Sequence, residues 1–227
     1  MRNAIRIIRG WTAGALVAVL VLAGAGASQA SVILSFSQTS SGGVPASYMD
    51  ALLTFDVSGN TLTMTMANQT ANPPESFYIN QIFFNATSNV TDLTLVNAPD
   101  GWSLDFAENG HKADGLGYYD VALIGGNGNH PGQVALGETT VFTLAITGIG
   151  PFADSNFTTE KSLSSNGDTE SLAVAKFVRG SDSDDSAFGN ATTAVIPEPA
   201  TMAFLAIGVV TIMARRLGDV RRVNPRL

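Results

Sequence analysis

Apolar and polar residues alternate through most of the stretch from residue 31 to residue 178. The clearest case is a pair of runs, 53–57 and 62–66, in which every second residue is apolar. A period of two places alternate side chains on one face of a strand. The two runs are separated by Ser58-Gly59-Asn60, a short turn sequence of the kind that joins neighbouring antiparallel strands. This pattern predicts a β-hairpin.

Seven further runs have the length and the apolar content of strands, which brings the total to about nine. They are Val32–Phe36, Phe77–Phe84, Thr91–Val96, Trp102–Phe106, Tyr118–Ile124, Val141–Ile146 and Leu172–Val178. Between residues 31 and 190 no segment has the 3.6-residue apolar stripe of a helix. The sequence therefore predicts an all-β fold, an antiparallel β-sandwich with either a jelly-roll or an immunoglobulin-like arrangement. The alternative is a more open β-rich fold of the same strands.

One predicted strand changes its parity. Phe77 and Ile79 would share one face, whereas Ile82 and Phe84 would fall on the other. One extra residue in a strand restores the register, so we expect a β-bulge near Asn80-Gln81.

The first 30 residues have the pattern of a secretory signal peptide. A basic start is followed by the uncharged run 10–27 and by Ser28-Gln29-Ala30, which places small residues at the two positions that a signal peptidase selects. We expect cleavage between Ala30 and Ser31, and Ala25-Gly26-Ala27 offers a second possible cut. The partners would be the Sec export machinery and signal peptidase.

A second uncharged run lies near the other end, at residues 202–214, and Arg215 and Arg216 follow it directly. It is short for a membrane span, which needs about 20 apolar residues, and reaches that length only with its flanks. We expect a single transmembrane helix at about 200–214. Arg215 and Arg216 would stop transfer and, with the basic tail 217–227, stay in the cytoplasm.

Just before this run stands Pro197-Glu198-Pro199, where the prolines favour an extended, non-helical backbone. The order of this triplet, a short apolar helix and an arginine pair over residues 195–216 resembles the PEP-CTERM sorting signal of Gram-negative bacteria. The resemblance implies Pro197, Glu198 and Pro199 as the recognition element and exosortase as the processing enzyme. It also implies transient anchoring in the inner membrane and delivery to the cell surface or an exopolysaccharide matrix.

Charge is distributed unevenly along the chain. The total is −7, but residues 31–199 have four basic against eighteen acidic side chains, a net charge of −14. Such a segment repels nucleic acid and anionic membrane surfaces, so we expect no nucleic-acid partner. The sequence has no cysteine and two histidines, which excludes disulfides, cysteine-ligated metal centres, thiol nucleophiles and a three-histidine metal site.

These boundaries divide the chain into a signal peptide (1–30), an exported domain (31–178), a stalk (179–194), the sorting signal (195–216) and the tail. Residues 179–194 are rich in Ser, Asp, Gly and Asn, a composition typical of flexible linkers. The domain itself is long enough for one hydrophobic core.

Candidate sites in the domain are sparse. Asp182, Asp184 and Asp185 lack the full calcium-loop pattern, and a solvated acidic stalk is favoured. The glycine-rich segments 108–117 and 125–132 contain His111 and His130, with Asp114 and Asp120 between them; surface histidines are favoured over a His/Asp site. Aromatic residues that would suit a sugar surface are Tyr48, Tyr78, Tyr118, Tyr119 and Trp102, and the alternation around Trp102 favours the core instead. Asn-x-Thr tripeptides start at Asn68, Asn85, Asn89, Asn156 and Asn190 and are attributed to composition.

The favoured hypothesis is a non-enzymatic surface or matrix protein without a cofactor or metal, associated with exopolysaccharide. A secreted carbohydrate-binding module that uses the glycine-rich loops, with Tyr118 or Tyr119, is the first alternative. An extracellular hydrolase is the second, and no G-x-S-x-G turn or other constellation nominates its residues.

Overall fold

A computed structural model describes residues 31–36, 38–39, 49–70, 77–126, 132–164, 168–179, 186–191 and 194–195. These residues form twelve β-strands and one short helix. The strands are β1 (Val32–Phe36), β2 (Gln38–Thr39), β3 (Ala51–Ser58), β4 (Thr61–Asn68), β5 (Phe77–Phe84), β6 (Val90–Asn97), β7 (Ser103–Ala113), β8 (Gly117–Ile124), β9 (Thr139–Gly148), β10 (Ala173–Arg179), β11 (Ser186–Ala191) and β12 (Ala194–Val195). The helix, α1 (Ser155–Thr158), follows β9. The predicted all-β class is confirmed, and each of the nine predicted strands is present.

The strands form two antiparallel sheets. Sheet A has the order β12-β1-β3-β4-β9-β6, and sheet B has the order β2-β11-β10-β5-β8-β7. Most neighbouring strands are not consecutive in the sequence; β10, for example, pairs with the distant β5 as well as with β11. This connectivity joins the first and last strands of the domain in one sheet, because β1 pairs with both β3 and β12.

The predicted hairpin is formed by β3 and β4. Ser58 pairs with Thr61, which leaves Gly59 and Asn60 as a two-residue loop. Gly59 has a φ of 59°, a conformation that costs glycine little and that such loops require. Buried and more exposed residues alternate along both strands. One face of this part of sheet A therefore packs on the core and the other faces solvent.

The predicted bulge is confirmed at Asn80. Lys176 of β10 pairs with Gln81 of β5, whereas the next residue, Phe177, pairs with Ile79. Asn80 is thus the extra residue, and its insertion allows Ile79 and Ile82 to be buried in the same core.

Both sheets contribute side chains to the main hydrophobic core. Phe55 of sheet A and Phe84 of sheet B meet edge to face, with ring centroids 5.4 Å apart. Phe157 of α1 lies 6.2 Å from each of these rings. The helix, although only one turn long, therefore contributes an aromatic ring to the contact between the sheets, where aromatic pairs add to the stability gained by burial.

Sheet B is apolar on its second face as well. Phe83, Tyr119 and Val174 form a smaller cluster there with Leu116. Residues 160–164 and 168–172 run beside this face, and Tyr118 and Leu163 exchange backbone hydrogen bonds of 3.0 and 3.1 Å. Burial on both faces explains why β8 and β10 have nearly continuous apolar runs instead of strict alternation.

Two sequence predictions are wrong about loops. Residues 186–191, assigned to the flexible stalk 179–194, are strand β11, which pairs with β10 over six residues and buries Ala187 and Ala191. The side chains that β11 directs to the main core are small and show no alternating hydrophobic pattern, and the edge of β10 supplies its hydrogen-bond ladder. The predicted loop 108–117 is also mostly strand, because β7 extends to Ala113 and β8 begins at Gly117.

Among the residues that the structure describes, no helix has the length and the apolar character needed to cross a membrane. The predicted signal peptide (1–30), the transmembrane segment (200–214) and the tail (217–227) lie outside the described residues.

Candidate functional site

A cleft with a volume of about 820 Å³ opens at the side of the domain. Its walls come from the β5–β6 connection, the middle of β7 and the segment that follows α1. These parts are far apart in the sequence and meet only in the folded chain. The cleft is lined by polar and acidic side chains for the most part, among them Asn85, Glu108, Asn109, Asp120, Glu160 and Glu170.

Asp120 is the buried centre of this cleft, with 8% of its surface exposed. One carboxylate oxygen accepts a hydrogen bond of 2.8 Å from the backbone N–H of Asn109, and the other accepts one of 3.2 Å from that of Ala86. The backbone N–H of Asp120 donates to Oδ1 of Asn85 at 2.9 Å. Asp120 therefore fastens β8 to β7 and to the β5–β6 connection, a role in which a buried charge is satisfied by amide donors.

A bulge in β7 brings the backbone to Asp120. The pairing with β8 shifts between Phe106 and His111. Within the bulge Asn109 has a φ of 49°, a left-handed conformation that asparagine tolerates better than most residues. A Cβ atom at Gly110 would lie 2.6 Å from that of Ala107, so glycine is needed for this close turn.

Three exposed carboxylates, those of Glu108, Glu160 and Glu170, line the cleft around the buried one. Partial desolvation raises the pKa of Glu160 above its ordinary value, and the charge of Asp120 raises it further. Glu170 has a cation nearby, with its Oε2 3.7 Å from Nζ of Lys161. The arrangement offers acceptors to a ligand rich in hydroxyl groups. No group of three or more metal-ligating side chains occurs in the described residues.

The histidine and aspartate candidates do not come together in the described residues. His111 lies in β7, with its side chain 11% exposed, so its assignment as a surface residue is wrong. Its Nε2 is 3.9 Å from Oδ2 of Asp105, too far for a hydrogen bond. His130 lies outside the described residues, as do Asp182, Asp184 and Asp185.

The aromatic candidates for a sugar surface are mostly structural. Tyr119 is fully buried, and its hydroxyl donates to the carbonyl of Leu116 at 3.1 Å. Trp102 is 8% exposed and meets Phe142 edge to face at 4.9 Å, which confirms its predicted place in the core. The prediction that Tyr119 could stack on a sugar is therefore wrong, because its ring is not accessible.

Two tyrosines of this group keep part of their surface. Tyr78 and Tyr118 are half-buried, and Nζ of Lys112 lies 5.9 Å from the ring centre of Tyr118. Tyr78 is in β5 and Tyr118 in β8. Tyr48 lies outside the described residues.

Several asparagines of the Asn-x-Thr tripeptides bond within the fold. Asn68, Asn85 and Asn190 are buried. Nδ2 of Asn156 donates to Oγ1 of Thr87 at 2.7 Å and to Oδ1 of Asn89 at 2.9 Å, which ties α1 to the β5–β6 connection. These side chains act as structural hydrogen-bonding groups in the folded domain.

The residues predicted for processing lie at or beyond the ends of the described chain. Ser31, on the exported side of the predicted signal-peptidase cut, directly precedes β1, and Ala30 is outside the described residues. Val195 ends β12 and pairs with Ile33 of β1. Pro197, Glu198, Pro199, Arg215 and Arg216 also lie outside the described residues.

Comparison with family models decides what this end of the chain is. The model of the PEP-CTERM protein-sorting motif matches residues 195–217. The chain carries a PEP-CTERM sorting motif. The match contains the proline-glutamate-proline triplet and both predicted stop-transfer arginines. The PEP-CTERM motif implies export by the secretory machinery, transient membrane anchoring and processing by exosortase. Neither the curated proteins nor the solved structures contain a match to the chain.

The PEP-CTERM motif is recognisable in the sequence, whereas the cleft is not. The motif is contiguous, so its residues are visible side by side. The cleft combines Asn85, Asn109, Asp120 and Glu160, whose proximity depends on sheet pairing. The one local signal was the Asn109-Gly110 pair, which is typical of tight turns and bulges.

Proposed function

We propose that this chain is an exported, exosortase-processed and non-enzymatic protein of the cell surface or extracellular matrix of a Gram-negative bacterium, associated with exopolysaccharide. The observation that carries the proposal is the position of the PEP-CTERM match. It begins at Val195, the last residue of β12. The β domain is thus joined directly to the sorting signal as its cargo.

The proposed route uses both chain ends. Signal peptidase cleaves between Ala30 and Ser31 during Sec export. The segment at about 200–214 then holds the chain in the inner membrane, with Arg215 and Arg216 on the cytoplasmic side. Exosortase processes the Pro197-Glu198-Pro199 region, and the domain passes to the surface or the matrix.

The hydrogen bonds of the buried Asp120 carboxylate support a structural role for the domain. Asp120, in the cleft, accepts two backbone hydrogen bonds that hold β7 and the β5–β6 connection. The strongly acidic domain would repel anionic polymers at long range, so the proposed exopolysaccharide partner is a neutral or a cationic one.

The test is the replacement Glu198→Ala in cells that make exosortase. We expect wild-type protein to be shortened and to reach the cell surface, and the variant to stay at full length in the inner-membrane fraction. Glu170→Ala, an exposed acidic residue of the β domain, is the matched control and should be processed as the wild type is. Equal processing of all three proteins would contradict the role of the motif.

A carbohydrate-binding module is the second candidate, and the cleft of about 820 Å³ favours it. Its acidic and amide side chains are groups that bind sugar hydroxyls. Glu108→Ala, in the cleft, should abolish retention on an exopolysaccharide column, whereas Asp114→Ala, in the β7–β8 turn, should not. Absence of retention of the wild type on every neutral or cationic glycan would remove this candidate.

A further inference from the structure

The folded domain and the PEP-CTERM motif share a residue. The motif match starts at Val195, and Val195 is also a member of sheet A, where it pairs with Ile33 of β1. Ala194 pairs with Leu34 in the same ladder. Only Ile196 separates the end of β12 from Pro197. No spacer therefore lies between the cargo and its sorting signal.

This arrangement creates a competition for the same backbone. Sites that recognise extended peptides bind them through main-chain hydrogen bonds. An enzyme groove that binds Pro197-Glu198-Pro199 in this way and contacts two further residues on the N-terminal side would also bind the backbone of Val195. While β12 lies on β1, the backbone of Ala194 and Val195 is part of sheet A. It cannot occupy the groove of a processing enzyme at the same time.

We infer that β12 is a detachable strand that gates processing: exosortase acts on the chain only while β12 is released from β1. This inference rests on the proposed function, because it presupposes that exosortase processes the motif. The partner that captures the released strand is thus the processing enzyme itself.

Two features of β12 suit it to release. It is the outermost strand of sheet A and contains two residues, so few hydrogen bonds hold it. The net contribution of each such bond is modest because water replaces it on opening. By contrast β3, the other neighbour of β1, pairs with it over five residues. Release of β12 therefore leaves the rest of sheet A intact.

A reversible cross-link tests the gate. Directly opposed residues of antiparallel strands have Cα atoms about 4.5–5.5 Å apart, a distance that a disulfide spans. Ile33→Cys with Val195→Cys would lock β12 to β1, and Ile33 is half-buried while its neighbours Val32 and Leu34 are buried. The native chain has no cysteine, so no other pairing competes. In the oxidising periplasm the two thiols form a disulfide, losing two protons and two electrons to the thiol-oxidising system of that compartment.

We expect the locked full-length chain to be processed at least about tenfold more slowly than the wild type. The cross-link removes the fraction of molecules in which β12 is detached from β1 and accessible to the enzyme. Adding dithiothreitol to the cells should speed processing of the same variant by about the same factor. A non-reducing gel reports the cross-link, and the conversion from full-length to shortened protein reports processing.

A second cross-link in the same sheet is the matched control. Thr54→Cys with Thr65→Cys joins directly opposed residues of β3 and β4, both half-buried, and leaves β12 free. This variant should be processed at the wild-type rate. The reduced form of the locked variant, which has the same two cysteine side chains without the cross-link, controls for the two substitutions themselves.

Two results would overturn the gate. One is processing of the locked variant at the wild-type rate. The other is failure of the two cysteines introduced in β1 and β12 to form a disulfide. If the wild type itself is not processed, the proposed function fails instead, so the two failures are distinguishable.

Discussion

Asp154 shows how a single residue joins two parts of this fold. It is 6% exposed, and one of its carboxylate oxygens accepts a hydrogen bond of 2.6 Å from the backbone N–H of Val57. Its backbone carbonyl accepts one of 3.0 Å from the hydroxyl of Thr158 in α1. Asp154 therefore anchors α1, and with it Phe157, against the end of β3.

The same position predicts a dependence of stability on pH. Burial raises the pKa of Asp154, an effect that the hydrogen bond from Val57 opposes and the charge of Asp56 reinforces. The folded protein therefore binds this proton more tightly than the unfolded chain does. The stability that Asp154 contributes is present at acidic pH and is lost as the pH rises through its folded-state pKa.

Asp154→Asn removes the titration and keeps an oxygen that can accept the bond from Val57. We expect the unfolding free energy of the variant, relative to the wild type, to increase between about pH 3.5 and about pH 7. Urea unfolding at the two pH values measures this difference. Asp154→Ala, which leaves the N–H of Val57 without its acceptor, should lose about 1–3 kcal/mol at both. A constant difference between the asparagine variant and the wild type would contradict the argument.

At the scale of elements, local patterns predicted strands wherever one face or both faces carry large apolar residues. The run Phe77–Phe84 also predicted the position of its bulge, because one extra residue shifts the apolar side chains that follow it to the other face. The strand β11 was not predicted, because the residues that it directs to the core are Ala187, Gly189 and Ala191. Their small size is a requirement of packing: a Cβ atom at Gly189 would lie 2.8 Å from the ring of Phe177. No local pattern shows this.

A substitution in β11 tests whether residues 186–191 form a strand or a flexible stalk. Ala187→Asp would place a carboxylate in the main core, where Ala187 is fully buried, and we expect it to destabilise the domain by about 3 kcal/mol or more. Ser186→Asp, at a half-buried position one residue earlier, should change the unfolding free energy by about 0.5 kcal/mol or less. Equal unfolding midpoints in urea for the two variants would show that β11 does not form.

At the scale of the whole molecule, the two predicted processing positions flank one pair of strands. Ser31 stands two residues before Ile33, and Pro197 stands two residues after Val195. Because β1 and β12 are antiparallel, the start of β1 and the end of β12 lie at the same end of this pair.

Truncation tests how far the folded domain extends. We expect residues 31–195, without either signal, to unfold in one cooperative transition followed alike by circular dichroism and tryptophan fluorescence. Residues 31–191, which lack β12, should fold with a stability lower by about 1 kcal/mol. Residues 31–179 lack β11 as well, so β10 becomes an open edge, and we expect this form to aggregate. A well-folded 31–179 would contradict the place of β11 in sheet B.

The sequence alone determined what depends on neighbouring residues: the alternation that makes strands, the Gly59-Asn60 turn, the bulge at Asn80 and the contiguous sorting motif. The tertiary structure decided what depends on distant residues meeting. It set the order of the strands in the two sheets, made β11 a strand, assembled the cleft around Asp120 and paired β12 with β1. The physical reason is that a strand's hydrogen bonds and half of its packing are supplied by a partner, and the identity of that partner is not written in the strand itself.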